Sequence, residues 1–302
     1  MTVDVLIPSY RPGEQLERLI QKILGQSYPV EKIIVMNTEK EYFPKGLEGK
    51  YERVEVHHLK KAEFDHGGTR DQGMLLSEAD VVVCMTQDAM PADDRLIGEL
   101  LEPFLDEQVW AAYARQLPAK GCSEVERYTR SFNYPKESCK KGQKDLKRLG
   151  IKTFFCSNVC AAWRREPYLR LGGFVKRTIF NEDMIYAGKV IQQGGLIAYC
   201  AQAKVIHSHN YSAMQQFHRY FDLAVSQKMH PEIFEGVRSE SEGAKLVKKT
   251  IGHCIRIRKP WLIASVVMQN VGKLSGYKMG QHYQKLPEKV ILWCTMNRAY
   301  WR

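Results

Sequence analysis

The chain has 302 residues, of which 44% are hydrophobic and 26% charged, and its formal net charge is +11. This composition is typical of a folded globular protein and excludes a disordered chain, a collagen-like repeat and a small disulfide-stabilised protein. The positive charge is concentrated at one end, because residues 245–302 contain twelve basic residues and a single acidic one, Glu288. The first 244 residues are neutral overall, so we expect an anionic partner at the C-terminal end only.

The N-terminal sequence and the apolar segments predict a cytoplasmic location. The first residues lack the basic and apolar regions of a secretory signal. The apolar stretch 261–268 is far shorter than the roughly 20 residues that span a bilayer. The eight cysteines form no C-x-x-C pair and have no metal-ligand spacing, so we expect reduced thiols, several of them in buried strands.

Short apolar runs alternate with helical stretches over the first 114 residues. The predicted strands are 3–7, 32–36, 54–59, 81–85 and 109–114, and the predicted helices between them are 14–24, 72–78 and 95–104. This alternation indicates βαβ units, and hence an α/β fold with a mostly parallel central sheet flanked by helices. Ligands of such sheets bind beyond the carboxyl ends of the strands, which here are followed by residues 8–10, 37–38 and 86–88.

The remainder of the chain is less regular. Residues 118–150 are rich in lysine and arginine and predict a mobile surface loop. Strand patterns return at 159–163 and 204–206, and from about residue 212 the sequence predicts helices to the end. We therefore predict an α/β domain over residues 1–235 and a basic helical extension over residues 236–302.

Two motifs follow predicted strands in the first half of the sequence. Asp88 comes after the apolar run 81–85, where a carboxylate can hold a divalent cation over a phosphate; an N-cap for the next helix is an equal alternative. Residues 66–71, His-Gly-Gly-Thr-Arg-Asp, lie at a strand-to-helix turn. Their glycines and Arg70 suit a diphosphate, although an ordinary glycine-rich turn is the default.

Two further motifs lie in the second half. Glu182 and Asp183 open a predicted helix, whose dipole stabilises acidic residues, and only one of these adjacent side chains is expected to face a pocket. His207 and His209 alternate at a strand end and share a face, where neutral imidazoles could ligate a metal. Taken separately, ordinary acid enrichment and a surface histidine pair are the simpler interpretations of these two motifs.

The order of these motifs resembles the inverting nucleotide-sugar transferases of glycosyltransferase family 2, which have the GT-A fold, and within them a bacterial rhamnosyltransferase subgroup. The resemblance runs from Val3 to about residue 235. It depends on the segments 64–70 (FDHGGTR), 86–89 (TQDA), 181–184 (NEDM) and 205–209 (VIHSH).

The resemblance implies a role for each matching residue. On the donor side it implies nucleotide-sugar contacts from Pro8, Ser9, Tyr10, Asn37, Arg70, Gln87 and Asp88. On the acceptor side it implies Ser157, Asn158, Trp163, Gly173 and Phe174. Asp88 and His207 match metal ligands for Mg²⁺ or Mn²⁺, Asp183 matches the general base, and Glu182 is expected to orient the acceptor or the base. Thr86 departs from the family pattern, because it occupies the first acidic position of the metal motif.

The resemblance implies transfer of a sugar to a hydroxyl of a lipid-diphosphate-linked or polysaccharide glycan in cell-surface polysaccharide synthesis. The subgroup mostly uses dTDP-rhamnose, so the implied sugar is rhamnose. A metal ion and Arg70 would stabilise the departing diphosphate, and one base on the opposite face of the sugar would suffice for inversion. UDP-galactose and UDP-glucose are alternative donors.

The basic C-terminal end predicts attachment to an anionic membrane surface. Apolar residues between 246 and 257 alternate with lysines and arginines, and Trp261 follows, a pattern that suits a bilayer surface. A helical cap with solvated lysines is the alternative. The alternative to an enzyme is a nucleic-acid-binding or membrane-binding protein without catalytic activity. No helix-turn-helix, zinc-finger or RNA-recognition motif accompanies the basic residues, so we expect no nucleic-acid partner.

Overall fold

A computed structural model describes residues 1–237 and 241–301. The strands are β1 (Val3–Tyr10), β2 (Lys32–Thr38), β3 (Val54–Leu59), β4 (Val81–Met85), β5 (Met90–Pro91), β6 (Val109–Leu117), β7 (Cys139–Lys141), β8 (Cys160–Arg164) and β9 (Leu196–Ile206). The helices are α1 (Gly13–Leu24), α2 (His66–Leu76), α3 (Leu96–Leu101), α4 (Glu124–Asn133), α5 (Leu146–Leu149), α6 (Arg165–Arg170), α7 (Glu182–Gln192), α8 (Ala213–Met229), α9 (Pro231–Phe234), α10 (Ser241–Arg256), α11 (Leu262–Gln281) and α12 (Glu288–Cys294).

The strands form one sheet in the order β3-β2-β1-β4-β8-β6-β9-β5, with β7 paired to β9. The first four strands pair in parallel, and β6 pairs in parallel with β9. β8 is antiparallel to both β4 and β6. The α/β fold is confirmed: six of the nine described strands share one direction, and β8 and the short β5 and β7 run against them. β8 begins beside the carboxyl ends of β4 and β6 and runs in the opposite direction to both.

Helices cover both faces of the sheet. On one face, alternate residues of β1 such as Val5 and Ile7 pack with Leu19 of α1 and Leu100 of α3. On the other face, Leu6 of β1 packs in the cluster that includes Tyr186 of α7. β1, β2 and β4 therefore contribute alternate positions to the two cores, as the two-residue repeat of a strand requires.

The prediction of a loop over residues 118–150 is wrong. The segment contains α4, β7 and α5, and β7 pairs antiparallel with β9. Lys141 of β7 is buried, with Nζ donating to the carbonyls of Lys152 and Phe155 at 3.1 and 2.5 Å. Burial lowers the pKa of Lys141 to about 8. A basic residue that appears exposed in the sequence is thus part of the interior, because backbone carbonyls satisfy its ammonium group.

The C-terminal helices pack onto the rest of the protein. α11 runs along α8, and Phe217 and Phe221 of α8 form a small core with Ile291 and Cys294 at the end of the chain. A second contact joins Cys254 of α10 to α4 and α11. The predicted helical character from residue 212 is confirmed for the described residues, whereas the boundary at residue 235 stays a prediction; residues 238–240 and 302, which belong to the predicted extension, lie outside the described residues.

Two sequence predictions about segments and thiols can be compared with the structure. Within residues 1–237 and 241–301, no helix is both long enough and apolar enough to cross a bilayer. All eight cysteines are free thiols, and six of them are buried.

Candidate active site

The candidate site lies at the carboxyl edge of the sheet. β1 has β2 on one side and β4 on the other, so the chain connections diverge between β1 and β4, and a crevice opens there in α/β sheets. The segments after β1, β4, β6 and β9 and the segment before β8 all meet at this edge, because β8 runs in the opposite direction. This topology brings Tyr10, Asp88, Gln116, Asn158 and His207 to one side of the molecule.

Gln87 fastens the end of β4 to the end of β1. Its side-chain oxygen accepts from the Tyr10 N–H at 2.9 Å, and its amide donates to the Tyr10 carbonyl at 3.1 Å. The Gln87 side chain thus satisfies both backbone groups of Tyr10, as a neighbouring strand would, and fixes the distance between the ends of β1 and β4 at the opening of the crevice. Pro8 and Tyr10 are half-buried on the same face of β1 and remain candidates for donor contact.

Two of the donor residues implied by the resemblance are not accessible. Ser9 is buried and donates through Oγ to Asn37 Oδ1 at 3.1 Å, and Asn37 is completely buried. The amide of Asn37 also donates to the carbonyl of Glu39 at 3.1 Å. These side chains join β1 to β2 below the surface of the crevice, so the structure does not support them as direct nucleotide contacts.

Arg11 and Tyr42, which sequence reasoning missed, flank the same crevice. The Arg11 guanidinium lies 4.2 Å from the centroid of the Tyr42 ring and donates to its hydroxyl at 2.9 Å. The Tyr10 and Tyr42 rings are edge to face at 6.0 Å. Arg11 also has a left-handed backbone with φ of 47°, which is uncommon for a residue with a Cβ. The only sequence signal was the position of Arg11 directly after a strand.

Asp88, His207 and His209 converge into one cluster of possible metal ligands. Asp88 Oδ2 lies 3.5 Å from His207 Nε2 and 3.3 Å from His209 Nε2, and the two imidazole nitrogens are 3.0 Å apart. The expectation that Asp88 and His207 meet is confirmed, although their role as ligands stays a prediction. His209 had been noted as sharing a face with His207, and the fold brings it to the same point.

The surroundings favour the protonation states that a metal requires. Burial raises the pKa of Asp88, but hydrogen bonds from His207 and His209 outweigh this effect and hold its pKa well below the usual value. Burial lowers the pKa of His207, and Asp88 opposes the shift. Asp88 is therefore an anion at neutral pH and His207 is mostly neutral, which are the forms that bind a cation.

Gln116 contacts His207 of this cluster, and Arg130 contacts Gln116; neither residue was predicted from the sequence. Gln116 Oε1 lies 3.2 Å from His207 Nδ1 and accepts a hydrogen bond from Arg130. Arg130 is in turn paired with Glu126 of α4. When His207 carries its proton on Nδ1, it donates to Gln116 and its Nε2 lone pair is free for a cation; when the proton is on Nε2, it donates to Asp88 instead.

Asp183 lies recessed at the start of α7 with part of its surface open. Its carboxylate accepts from the backbone N–H groups of Asn158 at 3.0 Å and Met184 at 2.8 Å. Burial among protein atoms and the neighbouring Glu182 raise the pKa of Asp183 to about 7, while the two N–H donors lower it. A carboxylate with a pKa near neutrality suits a general base.

Glu182 and Arg70 form a buried ion pair. Glu182 Oε1 lies 3.1 Å from Arg70 Nη1, and each side chain is less than 10% exposed. Arg70 also donates to the carbonyl of His66 at 2.9 Å. The expectation that Arg70 faces a diphosphate is therefore not supported, because its charge is already balanced by Glu182. Both acids at the start of α7 contact Asn158, but Glu182 is buried against Arg70 whereas Asp183 is partly exposed.

Most of the acceptor residues implied by the resemblance belong to the core. Trp163 and Phe174 are at most 1% exposed and pack edge to face at 5.5 Å, so neither ring is available to a sugar. Gly173 has φ of 65°, and a Cβ there would lie 2.2 Å from Asp71 Oδ1, which explains the glycine by conformation and packing. Asn158 is buried, and Ser157 is half-buried beside Gln116 at 3.3 Å.

The glycine-rich motif at the start of α2 serves packing. Asp65 caps the helix by accepting from the Gly68 N–H at 2.6 Å, and it also accepts from the Arg177 N–H at 3.0 Å. A Cβ at Gly67 would lie 1.8 Å from the carbonyl of Val175. The glycines therefore allow the chain around residue 175 to approach α2. This role corresponds to the ordinary glycine-rich turn, which was the default interpretation of the motif from the sequence.

The chain is similar to known proteins over most of its length. Residues 4–172 match the model of the family described as Glycosyl transferase family 2. The chain is 35% identical over 305 residues to the O-antigen chain rhamnosyltransferase RfbN of Salmonella typhimurium, covering 100% of this chain and 96% of that protein. It is 40% identical over 247 residues to the O-antigen chain rhamnosyltransferase WbaN of Salmonella anatum, covering 80% and 78%.

Solved structures share the fold at low identity. TarS residues 1–349 from S. aureus superposes with a TM-score of 0.54 and 13% identity, covering 94% of this chain and 91% of that chain. The mannosyltransferase PcManGT from Pyrobaculum calidifontis, solved with GDP-Man and Mn²⁺, also has a TM-score of 0.54 and 13% identity, covering 99% and 84%. At this identity the likeness establishes the fold, which is the GT-A fold of these transferases.

Proposed function

Since this chain belongs to glycosyltransferase family 2, we propose that it transfers rhamnose from dTDP-rhamnose, with inversion, to a hydroxyl of a lipid-linked or polysaccharide glycan during synthesis of a cell-surface polysaccharide. The choice of sugar is supported by the two relatives named as O-antigen chain rhamnosyltransferases, at 35% and 40% identity. UDP-galactose and UDP-glucose remain the alternative donors.

The proposal rests mainly on one observation: a recessed carboxylate with a raised pKa and a cluster of possible metal ligands lie at the same edge of the sheet. Asp183 has a pKa raised to about 7, and Asp88 and His207 form the cluster across the same edge. In our proposal, Asp183 takes the proton from the acceptor hydroxyl as the hydroxyl attacks the sugar. One base on that face is sufficient for inversion.

The residues at the cluster fit a divalent cation. Asp88 supplies an anionic oxygen and His207 a neutral nitrogen, and Gln116 accepts from Nδ1 in the tautomer that frees this nitrogen, so these residues would hold Mg²⁺ or Mn²⁺. When bound, such an ion stabilises the negative charge that develops on the departing diphosphate. A requirement for Mn²⁺ or Mg²⁺ is part of the proposal.

The remaining residues of the site position the reactants. Arg70 and Glu182 neutralise each other behind Asp183, and Asn158 connects Glu182 to the backbone that donates to Asp183. Tyr10 and Pro8, both half-buried, line the donor crevice in this proposal, and Gln87 holds Tyr10 in place. We further propose Ser157, which remains half-buried near Gln116, as an acceptor contact.

We also propose that the enzyme works on the cytoplasmic face of the cell membrane, held there by its C-terminal helices. One face of α11 presents Val267, Met268, Val271 and Leu274, each between 44% and 59% exposed. Arg256 and Arg258 at the end of α10 are exposed near the start of α11. Apolar side chains beside cationic ones suit an anionic bilayer, which would also present a lipid-diphosphate-linked acceptor.

Donor identity is tested first by thermal unfolding and calorimetry with a panel of sugar nucleotides and Mn²⁺ or Mg²⁺. We expect dTDP-rhamnose to raise the unfolding temperature more than UDP-galactose, UDP-glucose or free dTDP. A larger shift with a UDP-sugar would replace the donor while leaving the family unchanged.

The base is tested with Asp183→Asn. This substitution is expected to leave the dissociation constant for dTDP-rhamnose within a few-fold of the wild type and to abolish transfer to lipid-linked glycan extracted from a producing strain. Retained turnover in the variant would exclude Asp183 as the base.

A further inference from the structure

A cavity of about 320 Å³ lies beside the candidate active site, between α4, the start of α8 and α11. His209 lines it and also lies 3.3 Å from Asp88, so the cavity adjoins the carboxyl edge of the sheet. Its volume is at the lower end of the range for small-molecule sites, which suits a ligand of about one or two sugar rings. The reaction proposed above gives this space no role.

Contacts within the chain hold the walls of the cavity in place. The start of α4 is joined to the segment before α8, because the Ser123 N–H donates to Asn210 Oδ1 at 2.9 Å. On the other side, Val125 of α4 packs with Val266 of α11. Most of the lining belongs to the C-terminal part of the chain, beyond residue 172, where the match to the family model ends.

The lining of the cavity is polar but largely uncharged. Its hydroxyl and carboxamide groups belong to Ser123, Asn210, Tyr211, Gln216, Ser265 and Gln269. The carboxylate of Glu126, which also lines the cavity, is paired with Arg130. Among the described residues no lysine or arginine lines the cavity, although residues 245–302 contain twelve. A phosphate would therefore meet no cation there, whereas the hydroxyl groups of a sugar would meet both donors and acceptors.

Several of these polar groups are available to a ligand. The carboxamide of Gln216 and the hydroxyl of Tyr211 form no hydrogen bond within the described part of the chain, and both residues are half-buried. Gln269 donates to Ser265 Oγ at 3.4 Å, which leaves its own side-chain oxygen as an acceptor. The ring of Tyr211 adds an aromatic surface of the kind that packs on a sugar.

The cavity also adjoins the segment that carries the proposed base. The Arg219 guanidinium lies 5.8 Å from the centroid of the Tyr211 ring, in the cavity wall, and 4.6 Å from that of Phe180. Phe180 precedes Asp183 by three residues. A ligand seated against Tyr211 is thus separated from the segment before Asp183 by a single side chain.

We propose that this cavity binds a neutral sugar residue of the glycan acceptor and selects the acceptor through its hydroxyl groups. The inference rests on the proposed function and specifies how the acceptor is recognised. Met268 of α11 belongs both to the cavity and to the apolar face proposed to meet the bilayer. Arg256 and Arg258, exposed at the end of α10, suit the diphosphate of a lipid-linked acceptor at that surface. The sugars would then extend past α11 toward Asp183.

The test follows the methionine methyl groups of the isotope-labelled full-length protein by NMR, without a donor. The probe is the oligosaccharide released by mild acid from lipid-linked glycan of a producing strain and freed of phosphate with phosphatase. We expect the Met268 signal, assigned with Met268→Leu, to shift on titration. The Met1 signal is the control, because Met1 precedes β1 at the opposite edge of the sheet and should not move.

Two variants test the polar lining. Gln216→Ala and Gln269→Ala should each weaken binding of this oligosaccharide at least fivefold, because each removes hydrogen-bonding groups from the cavity. Gln284→Ala is the matched control, since this exposed glutamine lies beyond the end of α11 and should leave binding unchanged. An unshifted Met268 signal in the wild type, or equal affinity in all three variants, would overturn the assignment of the cavity.

Inorganic pyrophosphate distinguishes the chemical class of the ligand. We expect it not to displace the oligosaccharide, and displacement would overturn recognition of a neutral sugar.

Failure of this inference and failure of the proposed function give different results. If the Met268 signal shifts with the oligosaccharide but dTDP-rhamnose supports no transfer, the cavity stands and the proposed reaction is wrong. If transfer from dTDP-rhamnose occurs while the Met268 signal does not respond and Gln216→Ala and Gln269→Ala keep the wild-type KM for the glycan, the proposed function stands and this cavity is not the acceptor site.

Discussion

At the scale of single residues, the two acids that open α7 have different surroundings and therefore different chemistry. Glu182 is buried and paired with Arg70 at 3.1 Å. Asp183 accepts from two backbone N–H groups and forms no ion pair with a basic residue in the described part of the chain, and burial raises its pKa to about 7. Adjacent positions on one helix can thus supply one half of an ion pair and a proton acceptor, because other elements of the fold determine which partner each side chain meets.

The raised pKa of Asp183 predicts a pH dependence of both turnover and stability. Turnover should rise with pH through about 7 and then level off, because the base must be ionised.

The same raised pKa affects the stability of the folded protein. The pKa of Asp183 in the folded state lies above the usual value of 3.8, so the free energy of unfolding falls as pH rises from about 4 to about 7 and the carboxyl group loses its proton. Asp183→Asn should therefore raise the unfolding temperature more at pH 8 than at pH 5; an equal effect at both values would contradict this.

Asn158 is a positioning residue that joins the core to both acids. Its side chain accepts from the Trp163 indole N–H at 2.9 Å and donates to Glu182 at 3.2 Å, while its backbone donates to Asp183. Asn158→Ala should lower kcat by about tenfold or more with the donor KM within about threefold, since the base is displaced and the donor crevice is not. Steady-state kinetics checks this, and Asn270→Ala in α11 is the control. A change in KM alone would contradict the assigned role.

At the scale of elements, α8 and α11 approach closely because glycine recurs at every fourth residue of α11. A Cβ at Gly272, Gly276 or Gly280 would lie 2.1–2.4 Å from a backbone oxygen of α8. The partners are the carbonyls of Ala213, Phe217 and Phe221, which are also four residues apart. Small residues at this spacing form one face of a helix and let two helix backbones come together.

Gly276→Ala should therefore destabilise the protein although alanine is the better helix former. The added methyl group would lie 2.1 Å from the Phe217 carbonyl, so α11 must move away from α8 at a cost of about 1–3 kcal/mol. The control is Gly252→Ala in α10, where a Cβ would meet no described atom within 4 Å and stability should rise by up to about 1 kcal/mol. Chemical denaturation of both variants measures the difference. Equal effects would argue against close packing of α8 and α11.

At the scale of the whole molecule, the glycine face of α11 decides which of its side chains remain outside. With Gly272 and Gly276 against α8, the opposite face presents Val271 and Leu274 to solvent. The sequence prediction placed the membrane-binding surface between residue 246 and Trp261; in that stretch Cys254 is buried against its neighbours, whereas Ile255 and Trp261 are exposed. The apolar face of α11 that we propose to meet the bilayer follows this stretch in the chain.

The double substitution Val271→Asp and Leu274→Asp is expected to reduce binding to vesicles that contain phosphatidylglycerol by at least fivefold, because it places two anions in the apolar face. Vesicle flotation at low and high salt measures the binding, which should weaken as salt rises. Leu105→Asp, at an 83% exposed leucine of the α/β part, is the control. Equal flotation of the double variant and the wild type would remove α11 from the proposed membrane surface.

The sequence by itself determined the local and periodic features of this protein. Alternating apolar runs predicted the parallel strands β1 to β4, and residues that follow strands pointed to the carboxyl edge, because side-chain periodicity and strand direction are local properties. The motifs around Asp88, Asp183 and His207 indicated the family. β9 was only partly anticipated: the pattern at 204–206 marked its end, whereas Leu196–Ile206 forms one strand whose first half is buried among other elements.

Only the tertiary structure decided which polar residues reach a ligand. Ser9, Asn37, Arg70 and Trp163 belong to motifs suited to binding, but neighbouring elements bury them. Conversely, His209 and Gln116 join the Asp88 cluster because β9 and β6 end at the same edge as β4. Accessibility and convergence depend on contacts between residues far apart in the chain, and a local pattern of residue types does not encode the partner that an individual side chain will meet.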